Sequence, residues 1–370
     1  MIAKRFVVVT IMIGCVFLAT GAASSFAEDQ PSVTAPNSTL PPSSTVMKVI
    51  AETPYYQHGP TFDSYLPVDG KSRHPALILM HGGGWQGGDK LELAPFAVRA
   101  AQEQHWAAFA VNYRLSNTDK VAWPDEVHDA QAAIRYIVSH ADTYDIDPNQ
   151  VMILGASAGA NLMALVSEVG TVNPISGKAV GTNQTLAVPI VGAALWSPPV
   201  NLAHLVALHG NPPEDCGLHT SCDFIWSTPV IVNYLGCLPA ICPKKYADAS
   251  PITWVSARTA PSYIANSTEE LVPIAQVQEY ATALQAAGVK VEFDILPGQR
   301  HAAEFGDEIW PQTVAFFSAL LPQQADSELV DVPSRGDARG VGIALVIAAI
   351  IIGWSLFELR RRAHRAQRHA

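Results

Sequence analysis

Val151-Met152-Ile153-Leu154-Gly155-Ala156-Ser157-Ala158-Gly159-Ala160-Asn161-Leu162-Met163-Ala164-Leu165 is the stretch on which the reading of the fold turns. Its first four residues form a short apolar run suited to a buried strand, and Ala160, Leu162, Met163 and Leu165 suit a helix that follows. Two glycines between them flank a serine in a G-x-S-x-G pattern. They let the chain turn sharply, so strand, turn and helix would raise the Ser157 hydroxyl above a sheet, at a helix N-terminus that favours developing negative charge. Elsewhere the same five residues could be a plain small-residue turn. In this setting they predict a nucleophile.

Further runs repeat the strand signal on both sides: Ala76 to Met80, Ala107 to Tyr113, Ile190 to Trp196, Tyr263 to Asn266 and Val289 to Leu296. Between the second of these and Val151, a helix is predicted from Pro124, with Val127, Ile134, Ile137 and Val138 on one face. Strands that are apolar along their length, alternating with helices, predict an α/β fold with a mainly parallel sheet covered on both faces. Residues 197–260 break that rhythm and read as an insertion above the sheet.

At the end of the first run stands His81-Gly82-Gly83-Gly84-Trp85. Glycines allow backbone N–H groups to face a pocket, and a tetrahedral oxyanion needs such donors about 3 Å away. Gly83 and Gly84, with Ala158 after the serine, are the expected donors, and Trp85 is an expected substrate contact. The spacing of a nucleotide-binding loop is absent, so acyl transfer fits best. His301, after the last predicted strand, is the expected general base. His128 and His140 read as surface groups of the Pro124 helix, and His105 as a structural loop residue. The acid should lie on the loop Ser267-Thr268-Glu269-Glu270-Leu271-Val272-Pro273; Glu269 is the first choice and Glu270 the second.

Together these residues resemble the α/β-hydrolase superfamily, and more narrowly the esterase groups around hormone-sensitive lipase and the bacterial carbohydrate and feruloyl-type esterases. The resemblance runs from residue 62 to about 320. It includes Asn112-Tyr113-Arg114-Leu115, the helix from Trp123-Pro124-Asp125, Asp147-Pro148-Asn149, Ser250-Pro251 and Val272-Pro273. Counting back four places from Pro273, where such esterases usually carry aspartate, lands on Glu269. Ala156 and Ala160 also depart from the usual aspartate of the hormone-sensitive branch and the usual glycine. The resemblance implies a cap over the site, matching residues 197–260, and a serine carboxylesterase-type mechanism on ester bonds with no metal or organic cofactor. Formamide, thioester and peptide substrates use the same machinery, and a hydrolase-like binding or adhesion module without activity is the reading from another class.

Both ends of the chain read as membrane-directed. Lys4 and Arg5, the apolar run Phe6 to Ala19, and Ser25-Phe26-Ala27 predict an export signal over residues 1–27; a retained anchor is the alternative. Residues 28–45 read as a flexible leader, residues 46–322 as the hydrolase domain and residues 323–340 as a linker. Val341 to Phe357 is a 17-residue apolar run without charge, and five arginines follow it. That order predicts a transmembrane helix at 341–359 and a basic cytoplasmic tail at 360–370, unless processing removes them. The expected location is outside the cytoplasm, tied to the membrane, with a small-molecule, glycan or lipid ester as substrate.

The formal net charge is −10, and the arginines are concentrated at the tail, which argues against a nucleic-acid partner. Four cysteines remain after export: Cys216, Cys222, Cys237 and Cys242. Their even, clustered count predicts two local disulfides, with three pairings open and a zinc site as the weaker alternative.

Overall fold

A computed structural model describes residues 46–117, 120–172, 175, 177, 179–210 and 227–322. The apolar runs become strands β3 (His74–Met80), β4 (Ala107–Val111), β5 (Ile146–Ala156), β6 (Ile190–Trp196), β7 (Ser262–Ser267) and β8 (Val291–Leu296). Two further strands, β1 (Val46–Pro54) and β2 (Thr61–Val68), precede them. The eight form one sheet in the order β1-β2-β4-β3-β5-β6-β7-β8. β1 pairs antiparallel with β2 and β2 with β4, while every pair from β4 to β8 is parallel.

Alternation along the central strands explains why they are apolar throughout. In β3, Ala76, Ile78 and Met80 enter one core while Leu77 and Leu79 enter the other. The first core is covered by α2 (Asp125–Ser139), α4 (Ala158–Val169) and α8 (Ile274–Ala286), and the second by α1 (Ala94–Glu103) and α9 (Gly306–Leu320). A strand buried on both faces must be apolar at every position. β1 lies at the sheet edge with Val46 and Val49 exposed, so it lacks that signal. The short α3 (Ala141–Tyr144) leads from α2 into β5, which begins five residues before Val151 and takes in Asp147-Pro148-Asn149.

The insertion between β6 and β7 is more regular and better packed than expected. It contains α5 (Leu202–Gly210), α6 (Ser227–Leu235), α7 (Pro243–Asp248) and a 3-10 turn at Pro251–Trp254. Tyr234 is fully buried with Ile231, Leu235 and Tyr246 in the core that also holds α4. Cys237 and Cys242 form a disulfide just beyond α6. Cys216 and Cys222 lie outside the described residues, as do the expected export signal 1–27, the leader, the linker, the apolar segment 341–359 and the basic tail. Among the described residues no helix is long and apolar enough to cross a membrane, and no group of acids, histidines and cysteines is placed to hold a metal ion. His128 is buried at 2% exposure, so it belongs to the interior face of α2 rather than to the surface.

Candidate active site

Ser157 sits at the junction of β5 and α4 with φ 52° and ψ −118°, a left-handed backbone costing roughly 1–3 kcal/mol for a residue other than glycine. Its N–H donates to the Trp196 carbonyl at the end of β6 (2.8 Å), and its carbonyl accepts from the Asn161 N–H inside α4 (3.1 Å). The flanking glycines are required by contact. A Cβ on Gly159 would lie 2.2 Å from the Met80 carbonyl oxygen and 2.4 Å from that of His81. One on Gly155 would lie 2.4 Å from the Gly159 carbonyl oxygen. The helix therefore starts hard against the end of β3, and Ser157 is held where β3, β5 and β6 end.

His301 comes from the loop after β8. Its N–H donates to Glu304 Oε2 (2.9 Å), the next N–H, of Ala302, donates to Ser197 Oγ (2.9 Å), and the carbonyl of Arg300 accepts from Ser267 Oγ (2.6 Å). Fixed on three sides, the imidazole brings Nε2 to 2.8 Å from Ser157 Oγ. Its Nδ1 meets Glu270 Oε2.

The carboxylate that meets the imidazole is thus that of Glu270, which corrects the first choice of Glu269. Pairing beyond the end of β7 explains the difference. Thr268 N–H donates to the Leu296 carbonyl and Glu269 N–H to the Gly298 carbonyl, each at 2.9 Å, so the chain stays beside the β8 loop and leaves the Glu269 side chain exposed. The turn comes one residue later and carries Glu270 inward, where it is 5% exposed. Buried Asn266 braces this turn by donating from Nδ2 to the carbonyls of Ser267 and Val272, at 2.9 and 3.0 Å.

The loop after β3 is tied down by its carbonyls. Tyr113 Oη donates to the carbonyls of His81 (3.2 Å) and Gly82 (3.0 Å), the Gly83 carbonyl accepts from the Gln86 and Gly87 N–H groups, and the Trp85 carbonyl accepts from the Ser116 N–H. The His81 ring stacks on Tyr113 with centroids 4.4 Å apart. Burial pushes its pKa down, against the opposing pull of the Gly82 carbonyl. Gly83 and Gly84 line the same cavity as Ser157 and His301. Ala158 is the first residue of α4, where an N–H has no partner within the helix. Gly83 and Gly84 have φ of +96° and +59°. A Cβ on Gly83 would lie 2.2 Å from the Gly87 carbonyl oxygen.

The cavity measures about 680 Å³. Its apolar wall includes Leu205 of α5, Val230 and Ile231 of α6, and Leu271 and Val272 of the acid loop. The cap thus meets the glycine loop directly. Gln86 Nε2 donates to the Val230 carbonyl (2.9 Å), and Trp85 stacks on Tyr234 with centroids 4.3 Å apart and planes 4° from parallel. Trp85 borders the cavity while being 2% exposed, so its ring is committed mostly to the cap. One lining residue that the motifs did not point to is Glu92, on the 3-10 turn Lys90–Glu92.

The BD-FAE family model matches residues 62–284, more than half of the chain. The chain belongs to the BD-FAE family. The chain is also 25% identical over 277 residues to a probable carboxylic ester hydrolase, LipM, of Mycobacterium tuberculosis, covering 73% of this chain and 58% of the relative. It is also 25% identical over 246 residues to the esterase LipQ of the same organism, covering 66% and 53%. The chain therefore spans little more than half the length of these curated relatives. Among solved structures, a truncated carbohydrate esterase from gut microbiota superposes with a TM-score of 0.62 at 24% identity, over 76% of this chain and 98% of that one. That likeness carries the α/β-hydrolase fold. In this BD-FAE chain the fold brings Ser157, His301, Gly83 and Gly84 to one cavity, with Glu270 behind His301, and leaves Glu269 outside.

Proposed function

We propose that this chain is a serine hydrolase that cleaves carboxylic esters through an acyl-enzyme. The observation that carries the reading is the continuous line from Ser157 Oγ to His301 Nε2, and from His301 Nδ1 to buried Glu270, beside two glycine N–H groups. Ser157 attacks the ester carbonyl while His301 takes its proton. Glu270 holds the ring and balances the imidazolium. The N–H groups of Gly83, Gly84 and Ala158 receive the oxyanion. The alcohol leaves with the proton from His301, and water then releases the acid by the same steps in reverse order. Family membership and the ester hydrolases among the relatives support this chemistry.

Hydrolysis of p-nitrophenyl acetate by the full chain tests it. Absence of turnover would instead favour the binding module. Within the glycine loop, Gly84→Pro removes one donor, cannot adopt φ +59°, and adds atoms where a Cβ already lies 2.8 Å from Val230 Cγ1. Turnover is expected to fall by roughly 10²-fold or more; an unchanged rate in folded protein would remove this loop from the mechanism. We further propose that the domain works outside the cytoplasm, tethered by the apolar segment near the C-terminus. The Cys237–Cys242 disulfide supports an oxidising compartment.

A further inference from the structure

The turn that carries Glu92 is held rigidly by its neighbours. Asp89 accepts from the Leu91 N–H (2.9 Å) and from Asn112 Nδ2 (2.9 Å), and Asn112 Oδ1 accepts from the Lys90 N–H (2.6 Å). Lys90 is buried, and its ammonium is taken up by Glu52 (2.5 Å) and Asp63 (3.6 Å). The one cation on this turn is therefore turned away from the cavity. Glu92 faces the cavity, and its Oε1 and the Ser157 Cβ lie 3.4 and 3.2 Å from the same point, the place a Cβ would take on Gly82. A carboxylate thus sits across one glycine from the nucleophile.

Among the described lining residues, the Glu92 carboxylate has no lysine or arginine partner. Desolvation raises its pKa, opposed by the Gly82 N–H and by the charge His301 acquires. Among the described lining residues, the other ionisable groups are Glu304, bound to the His301 N–H, and His301 itself, with no lysine or arginine. Beyond the backbone donors aimed at the reacting carbonyl, the described lining offers no cationic side chain to pair with an anionic group elsewhere on a substrate.

Resting on the esterase reading, we propose that Glu92 is a specificity-determining residue: its charge beside Ser157 restricts the site to neutral or cationic esters and excludes esters that carry an anionic group near the scissile bond. A unit charge a few ångströms away in a partly desolvated cleft shifts discrimination by about tenfold or more. Glu92→Gln keeps the shape and an acceptor for Gly82 while removing that charge.

The test compares kcat/KM for methyl butyrate and its anionic counterpart monomethyl succinate, and for 3,3-dimethylbutyl acetate and its cationic counterpart acetylcholine, using the full chain. In Glu92→Gln the anionic-to-neutral ratio is expected to rise by roughly tenfold and the cationic-to-neutral ratio to fall. Glu269→Gln, which removes an equal charge from an exposed position outside the cavity, should move either ratio less than about twofold. Relative binding of succinamate and butyramide, followed by saturation-transfer NMR, reads the same selection without turnover. Should the wild type hydrolyse no ester while Glu92→Gln still shifts the amide preference, the esterase reading falls and the charge selection stands. Unchanged ratios in both assays, in folded Glu92→Gln, would overturn the proposal.

Discussion

Ser157→Ala is expected to lower kcat/KM for p-nitrophenyl acetate by roughly 10⁴-fold or more, with the fold intact. The hydroxyl is the only group removed. The interactions that hold residue 157 in its strained turn are its own N–H to Trp196 and its carbonyl to Asn161, and both survive in alanine. Circular dichroism and the thermal midpoint should therefore stay close to the wild type. The glycine-loop donors also remain, so a small residual rate above water is expected. Equal rates for the two proteins would mean that the ester is cleaved elsewhere or by solvent, and would move the chain to the binding-module reading.

The second large effect separates two adjacent glutamates. Glu270→Gln replaces a buried carboxylate that meets His301 Nδ1 with a neutral amide, so the imidazolium formed during turnover loses its balancing charge and the ring loses the partner that fixes its tautomer. The rate is expected to fall by roughly 10³-fold or more. Glu269→Gln alters an exposed side chain whose backbone carries its hydrogen bond to Gly298, and the rate is expected to stay within about twofold. Kinetics of the two variants on one ester check this. A larger loss in Glu269→Gln than in Glu270→Gln would show that the acid loop takes another register in the working protein.

Much of the site was legible in the sequence because backbone constraints write themselves as glycines. Gly155, Gly159 and Gly83 each stand where a Cβ would meet a carbonyl oxygen at 2.4 Å or less, so the two motifs announced the elbow and the donor loop. The central strands were legible because burial on both faces leaves no polar position. The acid was not, because both candidates are glutamates and only the continued pairing of Thr268 and Glu269 with the β8 loop decides which points inward. β1 was missed because exposed positions dilute its apolar run, and β2 because buried Asp63 and Ser64 interrupt its own. The cap hid its order for a different reason. Tyr234 looks like a surface aromatic until Trp85, more than a hundred residues away, stacks on it. Glu92 belongs to no motif, and only the folding of its turn against Asn112 and Lys90 brings it beside Ser157.

The central claim is that Ser157 becomes the covalent attachment point of the acyl group. Intact-mass measurement and peptide mapping after reaction with an ethyl p-nitrophenyl phosphonate, a stable mimic of the tetrahedral adduct, address it most directly. One phosphonyl group per chain, located on the peptide containing Ser157 and lost in both Ser157→Ala and His301→Ala, is the expected result. Labelling that maps to another residue, or that persists undiminished in Ser157→Ala, would contradict it.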